Sequence, residues 1–182
     1  ISLGLVGSEM CIRDSSGTYW LYTPQMSGPA QFYCDQETDG GGWVMIGRGR
    51  EGWTESYNGT GDPNQLHQNP TGPAAFTPVQ LPANTVDALL NGVKPQDLPD
   101  GMRLRRAHNA RGTQWQNVYV QRPQTEQWTW AMSYGQRWGT VKFTGAGINR
   151  TAHMGGSASE MAPGITTSSV RFFANPNQGY QI

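Results

Sequence analysis

Hydrophobic and polar residues alternate in short runs over most of the chain from Ser16 onward, the pattern of β-strands with one buried face. Two aromatic runs, Gly17–Thr23 and Ala30–Asp35, flank the turn-forming stretch Pro24–Pro29 and are predicted to form a β-hairpin. Gly42–Arg48 is predicted as the third strand. The first part of the domain is therefore expected to be an antiparallel sheet.

Residues 49–82 are polar and rich in Gly, Pro and Asn, and they are predicted to form a long surface loop region. The one convincing helix is Ala83–Gly92, in which Asn84 or Thr85 is expected to cap the start and Gly92 to mark the end.

Further strands are predicted after the helix, and they are Gly101–His108, Thr113–Gln121, Glu126–Tyr134, Gly139–Gly145 and Ser168–Asn175. Alternation in the second of these places Trp115, Asn117, Tyr119 and Gln121 on one face. The last strand has no obvious partner after it, which predicts an uncovered sheet edge there. These elements predict an α+β fold with a twisted, mainly antiparallel sheet, one short helix and long loops.

Composition supports the same class of fold. Only 36% of residues are hydrophobic and 14% are charged, whereas Gly occurs 24 times and Pro 12 times, which does not fit a helical bundle. Aromatic rings are plentiful and must supply much of the core. Basic and acidic residues balance at 13 each, so nothing indicates nucleic acid as a partner, and no apolar stretch is long enough for membrane insertion.

Residues 1–15 do not read like the rest of the chain. They lack the basic start and the small-residue cleavage site of a signal peptide. They resemble adaptor read-through that precedes unrelated assembled sequences, and they are predicted to be a non-native leader. The domain itself is expected to occupy residues 16–182 and to be truncated at its C-terminus.

Two motifs near the third strand have competing interpretations. Gly47–Gly52 matches G-x-G-x-x-G, but no helix is predicted to open there, as a dinucleotide site would need. Asp35, Glu37 and Asp39 would share one face of a strand and could hold calcium. They lack the later bidentate Glu of an EF-hand, which favours a solvated strand end that enters a glycine turn; a metal loop stays the alternative.

Catalytic signals are weak. The three histidines His67, His108 and His153 are scattered without zinc spacing, and no G-x-S-x-G nucleophile motif occurs. We therefore assign no catalytic and no metal-binding residue and expect no enzyme activity.

Aromatic residues offer the best candidates for ligand binding. Rings such as Trp128, Trp130 and Trp138 could stack on sugars, although most rings in this chain are expected to be core. Trp53 and Tyr57 lie in the predicted long loop and are therefore the candidate ligand-binding residues.

The segment Ser16–Arg48 closely resembles the start of a fibrinogen-like domain. That family opens with S-G-x-Y and a hairpin, followed by Y-C-D and then G-G-G-W. The matching residues here are Ser16, Gly17, Tyr19, Tyr33, Cys34, Asp35, Gly40, Gly41, Gly42 and Trp43. The remainder resembles the bacterial branch that carries the Y-C-D…G-G-G-W signature.

The resemblance implies that the glycine-rich stretch is structural and not reactive. Gly40, Gly41 and Gly42 would let the backbone turn sharply, and Trp43 would anchor the turn. Cys34 would be a structural half-cystine whose partner precedes S-G-x-Y, where Cys11 stands. Because Cys11 lies in the predicted foreign leader, we expect Cys34 to be unpaired in this chain.

The resemblance further implies a non-catalytic recognition module, extracellular or at the cell surface, with glycans or surface proteins as partners. The family's calcium and sugar-pocket residues lie in its C-terminal third, and no counterpart is found here. No cofactor is therefore expected in this chain, and calcium is assigned to the part that would follow Ile182. A purely structural or adhesive module, or a piece of a secreted hydrolase, remains the alternative.

Overall fold

The computed structural model describes residues 2–4, 15–48, 61–68, 79–94, 97–107, 115–121, 139–145, 148–154, 159–160, 171–175 and 179–181. This part of the chain is mostly antiparallel strands with two short α-helices and long connections, so the predicted α+β class is confirmed. Within these ranges no helix has both the length and the apolar character needed to cross a membrane.

The strands follow one another along the chain with few helices between them. They are β1 (Ser2–Gly4), β2 (Gly17–Leu21), β3 (Ala30–Asp35), β4 (Trp43–Met45), β5 (Gly47–Arg48), β6 (Val79–Gln80), β7 (Met102–Ala107), β8 (Trp115–Gln121), β9 (Gly139–Gly145), β10 (Ile148–Met154), β11 (Ser159–Glu160), β12 (Arg171–Asn175) and β13 (Gly179–Gln181). The helices are α1 (Pro63–His67) and α2 (Ala83–Leu90).

Eight strands form the main sheet, in the order β10-β9-β8-β7-β1-β4-β3-β2. Neighbouring strands in this sheet are antiparallel. The remaining strands form a three-stranded sheet, β11-β12-β13, and a two-stranded sheet, β5-β6. β2 and β10 are therefore the two edges of the main sheet.

The predicted hairpin is present as β2 and β3, which pair from Gly17 with Cys34 to Leu21 with Ala30. The predicted third strand divides at Ile46 into β4 and β5. Ile46 is buried, and its carbonyl accepts a hydrogen bond from the backbone N–H of Leu81. This contact lies where the chain leaves the main sheet for the two-stranded sheet.

The first helix, α1, lies inside the region predicted to be loop. Asp62 and Gln65 form a capping box, in which Asp62 Oδ1 accepts from the Gln65 backbone and Gln65 Oε1 accepts from the Asp62 backbone. Pro63 occupies the first helical position, where its missing N–H costs nothing. Five residues are too few to show helical periodicity, which is why the prediction missed this helix.

The second helix, α2, is the predicted one, but its caps differ from the prediction. The N-cap is Pro82, and no side chain makes a capping hydrogen bond there, so the assignment of this role to Asn84 or Thr85 is wrong. Asn91 ends the helix in the left-handed conformation at φ 51°, one residue before Gly92.

One face of the main sheet carries the core. Its buried side chains alternate along the strands and are Leu21, Phe32, Cys34, Val44, Met102, Val118 and Val120. Leu66 from α1 and Val86, Leu89 and Leu90 from α2 are buried as well. Each Å² of apolar surface removed from water stabilises the folded state by about 25 cal/mol. This layer is therefore the main source of stability.

The N-terminal strand β1 lies inside the main sheet, where Leu3 is in register with Val44 of β4 and with Met102 of β7. Cys34 is fully buried and disulfide-bonded, so the expectation that it stays unpaired is wrong. That expectation assumed an N-terminal segment with no fixed place on the domain, whereas β1 is hydrogen-bonded in the sheet. The other cysteine of the sequence, Cys11, lies outside the described residues.

The strand expected to leave an uncovered edge has neighbours on both sides. β12 pairs with β11 through Phe172 and Arg171, and with β13 through Phe173, Ala174 and Asn175. The prediction failed because β13 is only three residues long, too short for a strand pattern to appear in the sequence.

Candidate recognition surface

The second face of the main sheet carries polar and aromatic side chains, and we call it the polar face. It consists of Thr18, Trp20, Gln31, Tyr33, Asp35, Trp43, Arg103, Arg105, Trp115, Asn117, Tyr119, Gln121, Lys142 and Thr144. The predicted shared face of Trp115, Asn117, Tyr119 and Gln121 is confirmed, since Val118 and Val120 point to the core.

Asp35, the last residue of β3, is the centre of a hydrogen-bond network on this face. Its Oδ1 atom accepts from the backbone N–H groups of Glu37 at 3.2 Å and Thr38 at 3.0 Å. The Ser16 hydroxyl donates to the same atom at 3.3 Å. These bonds close the chain into a tight turn directly after the strand.

The other carboxylate oxygen of Asp35 binds two arginines from β7. Arg103 Nη2 lies 2.5 Å from Oδ2 and Arg105 Nη1 lies 3.4 Å from it. Arg103 is 1% exposed, and its guanidinium lies over the ring of Trp43 at 4.6 Å from the centroid. This ion pair therefore joins the turn after β3 to a strand 68 residues later in the sequence.

The pKa of Asp35 reflects these contacts. Burial alone would raise it, but hydrogen bonds from Thr38 and Arg103 outweigh burial and lower the pKa from 3.8 to about 2. Tyr119, on β8, shows the opposite shift: burial, together with its hydrogen bond to Asp39, raises its pKa to about 12. Both groups hold one protonation state throughout the neutral range.

We expect the lowered pKa of Asp35 to make the protein sensitive to acid. A carboxyl group whose pKa falls on folding stabilises the folded state fully above its unfolded pKa of 3.8, and this contribution disappears as the pH drops towards about 2. The loss amounts to about 2 kcal/mol. Urea unfolding between neutral pH and this range measures it, and Asp35→Asn should flatten the acid slope. An equally steep slope in that variant would assign the effect to other groups.

Three consecutive glycines continue the turn, and all three have positive φ: 84° at Gly40, 77° at Gly41 and 78° at Gly42. A Cβ atom at Gly41 would lie 2.6 Å from the carbonyl oxygen of Gln36, which is closer than side chains tolerate. The Gln36 side chain then accepts from the backbone N–H of Gly42 at 3.1 Å. The run of glycines is thus a backbone requirement of this turn.

Asp39 lies at the tip of the turn, with φ 52°, and reaches over β8. Its carboxylate accepts hydrogen bonds from the Tyr119 hydroxyl and from Asn117 Nδ2, the latter at 3.1 Å. Arg103 Nη1 is 3.7 Å from the same carboxylate. The turn is therefore fixed to both β7 and β8, and it holds their polar side chains in place.

Beside this network, Arg105 and Trp115 form an accessible pair. The Arg105 guanidinium lies 5.2 Å from the centre of the Trp115 ring, and it also donates to Thr38 Oγ1 at 3.3 Å. The Arg105 side chain is 43% exposed and Trp115 is 47% exposed. We call Arg105, Trp115, Asn117 and Tyr119 the Arg105–Trp115 patch. Its side chains are held by neighbours but still reach solvent.

The predicted acidic triplet does not share a strand face. β3 ends at Asp35, which is buried and ion-paired instead of solvated, while Glu37 and Asp39 lie in the turn. In the described ranges no group of three or more His, Cys, Asp and Glu side chains is placed to hold a metal ion.

The two ligand-binding candidates, Trp53 and Tyr57, lie outside the described residues, as do Trp128, Trp130 and Trp138. The sequence argument missed Arg103 and Arg105, although a signal for them was present. They occupy alternate positions of a predicted strand, so they share a face, and a cation that is buried on such a face needs an anionic partner.

Comparison with curated proteins gives partial matches to two groups of relatives. The chain is 36% identical over 61 residues to angiopoietin-4 of Mus musculus, 35% identical over 89 residues to tenascin-N of Homo sapiens, and 40% identical over 60 residues to angiopoietin-2 of Sus scrofa. These matches cover 30%, 40% and 29% of this chain, but only 12%, 7% and 12% of the relatives. No family model and no solved structure matches the chain.

These relatives contain fibrinogen-like domains, so the chain is similar, over part of its length, to proteins with the domain that its sequence resembles. The predicted location, outside the cell or at its surface, is confirmed. The chain spans only a small share of each relative's length, so the similarity alone does not assign the activities or partners of these relatives to it.

Proposed function

We propose that this chain is a non-catalytic, extracellular recognition module that binds a surface protein or a glycan through the Arg105–Trp115 patch. The observation that carries the proposal is the half-exposed guanidinium of Arg105 stacked beside the half-exposed ring of Trp115. Trp, Tyr and Arg are the residues that most often dominate binding energy at protein interfaces.

The support beneath the patch favours binding, because it reduces the entropy lost when a ligand arrives. Arg105 is held by Asp35 and Thr38, and Tyr119 is held by Asp39. Side chains that are already fixed in position lose little freedom on binding, so more of the contact energy appears as affinity.

The chemistry of the patch suits either class of ligand. An aromatic ring stacks on the C–H face of a sugar or packs against an apolar side chain, and the guanidinium can donate two hydrogen bonds to a carboxylate. None of these contacts passes through a metal ion, so we propose that binding at this patch is independent of calcium. The similarity to angiopoietins and tenascin-N supports protein partners.

A binding screen with matched variants tests the proposal. The purified chain is applied to a glycan array and to a panel of purified extracellular proteins, in calcium and in EDTA. For any ligand found, Trp115→Ala is expected to weaken binding by about tenfold or more, whereas Trp20→Ala, which removes another exposed ring of the polar face, should leave it unchanged. Binding that survives Trp115→Ala, or the absence of any ligand in both formats, would contradict the proposal.

A further inference from the structure

Among the described strands, β2 forms one edge of the main sheet. It pairs with β3 on one side, and no other described strand lies along its outer side. An edge of this kind presents backbone N–H and C=O groups that can pair with another strand.

The sequence around β2 lacks the features that normally prevent such pairing. Proteins protect sheet edges with charged side chains, proline or bulges. No Asp, Glu, Lys or Arg occurs anywhere from Ser15 to Cys34, and β2 itself contains no proline. The opposite edge strand, β10, has Arg150 in its sequence, and exposed Lys142 lies on the neighbouring strand β9. The two edges of the same sheet therefore differ in charge.

The side chains at the β2 edge are also suited to contact. Trp20 is 67% exposed, and Tyr22, which follows the strand, is 55% exposed. Thr18, on the same face as Trp20, is exposed as well. Aromatic pairs across neighbouring strands stabilise strand pairing.

We propose that β2 is a self-association edge, at which two copies of this chain pair their β2 strands antiparallel and join their main sheets. A two-fold axis brings the same uncharged edge from both copies together, so the contact is self-complementary. A register centred on Trp20 places this ring opposite its counterpart and Thr18 opposite Tyr22. The chain has no net charge, so the copies do not repel each other at long range.

The strength of this contact follows from its small size. One pair of short strands with two aromatic side chains per copy buries less than the roughly 1,200 Å² of a stable interface. The dimer is therefore reversible, with a dissociation constant of about 10–1000 µM.

Sedimentation velocity of the whole chain from about 5 to 1000 µM tests the proposal over that range. The weight-average mass of the unchanged protein is expected to rise from 20.0 kDa towards twice that value. Trp20→Lys places a charge on the edge and should keep the protein at 20.0 kDa. Thr144→Lys adds a charge to the same face on the interior strand β9 and should leave the association as it is.

Thr18→Lys gives a second edge charge in case Trp20→Lys does not fold, as judged by circular dichroism, and it should also abolish the association. A protein that stays monomeric over the whole range, or a dimer that the folded edge variants leave intact, would overturn the proposal. Loss of the dimer says nothing against ligand binding at the Arg105–Trp115 patch, since the two tests use different readouts.

Discussion

Replacing Asp35 with alanine is expected to lower the free energy of unfolding by about 3–5 kcal/mol, because it removes the nearest carboxylate from a buried guanidinium. Arg103 is 1% exposed and cannot turn to water without unpacking Trp43. The same substitution removes the acceptor for the backbone N–H groups of Glu37 and Thr38. Both losses act on the turn that ties β3 to β7.

Urea unfolding measures the effect, and two further variants make the interpretation specific. Glu37→Ala removes an exposed carboxylate from the same turn and should cost less than about 1 kcal/mol. Arg103→Met in the Asp35→Ala background removes the buried charge that has lost its nearest carboxylate, and it should restore part of the lost stability. If Asp35→Ala costs no more than Glu37→Ala, the ion pair is not a main support of the turn.

Replacing Gly41 with alanine is expected to cost about 3 kcal/mol, because two penalties act at one position. Its φ of 77° disfavours any L side chain, and its new Cβ atom would lie 2.6 Å from the Gln36 carbonyl oxygen. This oxygen belongs to the backbone of the same turn, so it can move only if the turn opens.

Two other glycines separate the penalties in the same unfolding experiment. Gly40 has a φ of 84° but open space around its Cβ position, so Gly40→Ala should cost only the conformational strain, about 1–2 kcal/mol. Gly28 has neither problem, and Gly28→Ala should be neutral or slightly stabilising. Equal costs at Gly40 and Gly41 would show that the turn relaxes around the added methyl group.

Local patterns in the sequence predicted the strands well where they alternate clearly. β3 and β9 have the predicted bounds. Alternation alone also predicted that Trp115, Asn117, Tyr119 and Gln121 of β8 share one face. Short elements were missed, because α1 and β13 contain too few residues for a period to appear. In α1 the capping box Asp62–Gln65 was the available signal.

The candidate site depended on contacts between residues that are distant in sequence, and these could not be predicted from local patterns. In the sequence, Asp35 is one of three equivalent acids. In the folded structure it alone of the three is buried, and it forms an ion pair with Arg103. The resemblance assigned Trp43 to the glycine turn; the structure adds that its ring lies beneath Arg103 and 5.9 Å from the ring of Tyr119. Motif and partner are 68 residues apart, so neither segment alone indicates the other.

The motif and the patch are physically connected, so under the proposed function the glycine-rich turn positions the residues that bind. Asp35 and Thr38 in the turn hold Arg105, and Asp39 at its tip holds Asn117 and Tyr119. A change that loosens the turn should therefore weaken ligand binding as well as stability. In this account the turn does not touch the ligand but fixes the residues that do.

The central claim is that ligand binds at the Arg105–Trp115 patch, and the indole N–H signals of the protein test it most directly. The chain has seven tryptophans, and ¹⁵N-labelled indoles give one signal each, which single substitutions can assign. Titration with the tightest-binding glycan or protein from the screen is expected to shift or broaden the Trp115 signal and to leave the Trp20 signal in place. A ligand that perturbs other indoles while the Trp115 signal stays unchanged would contradict the account.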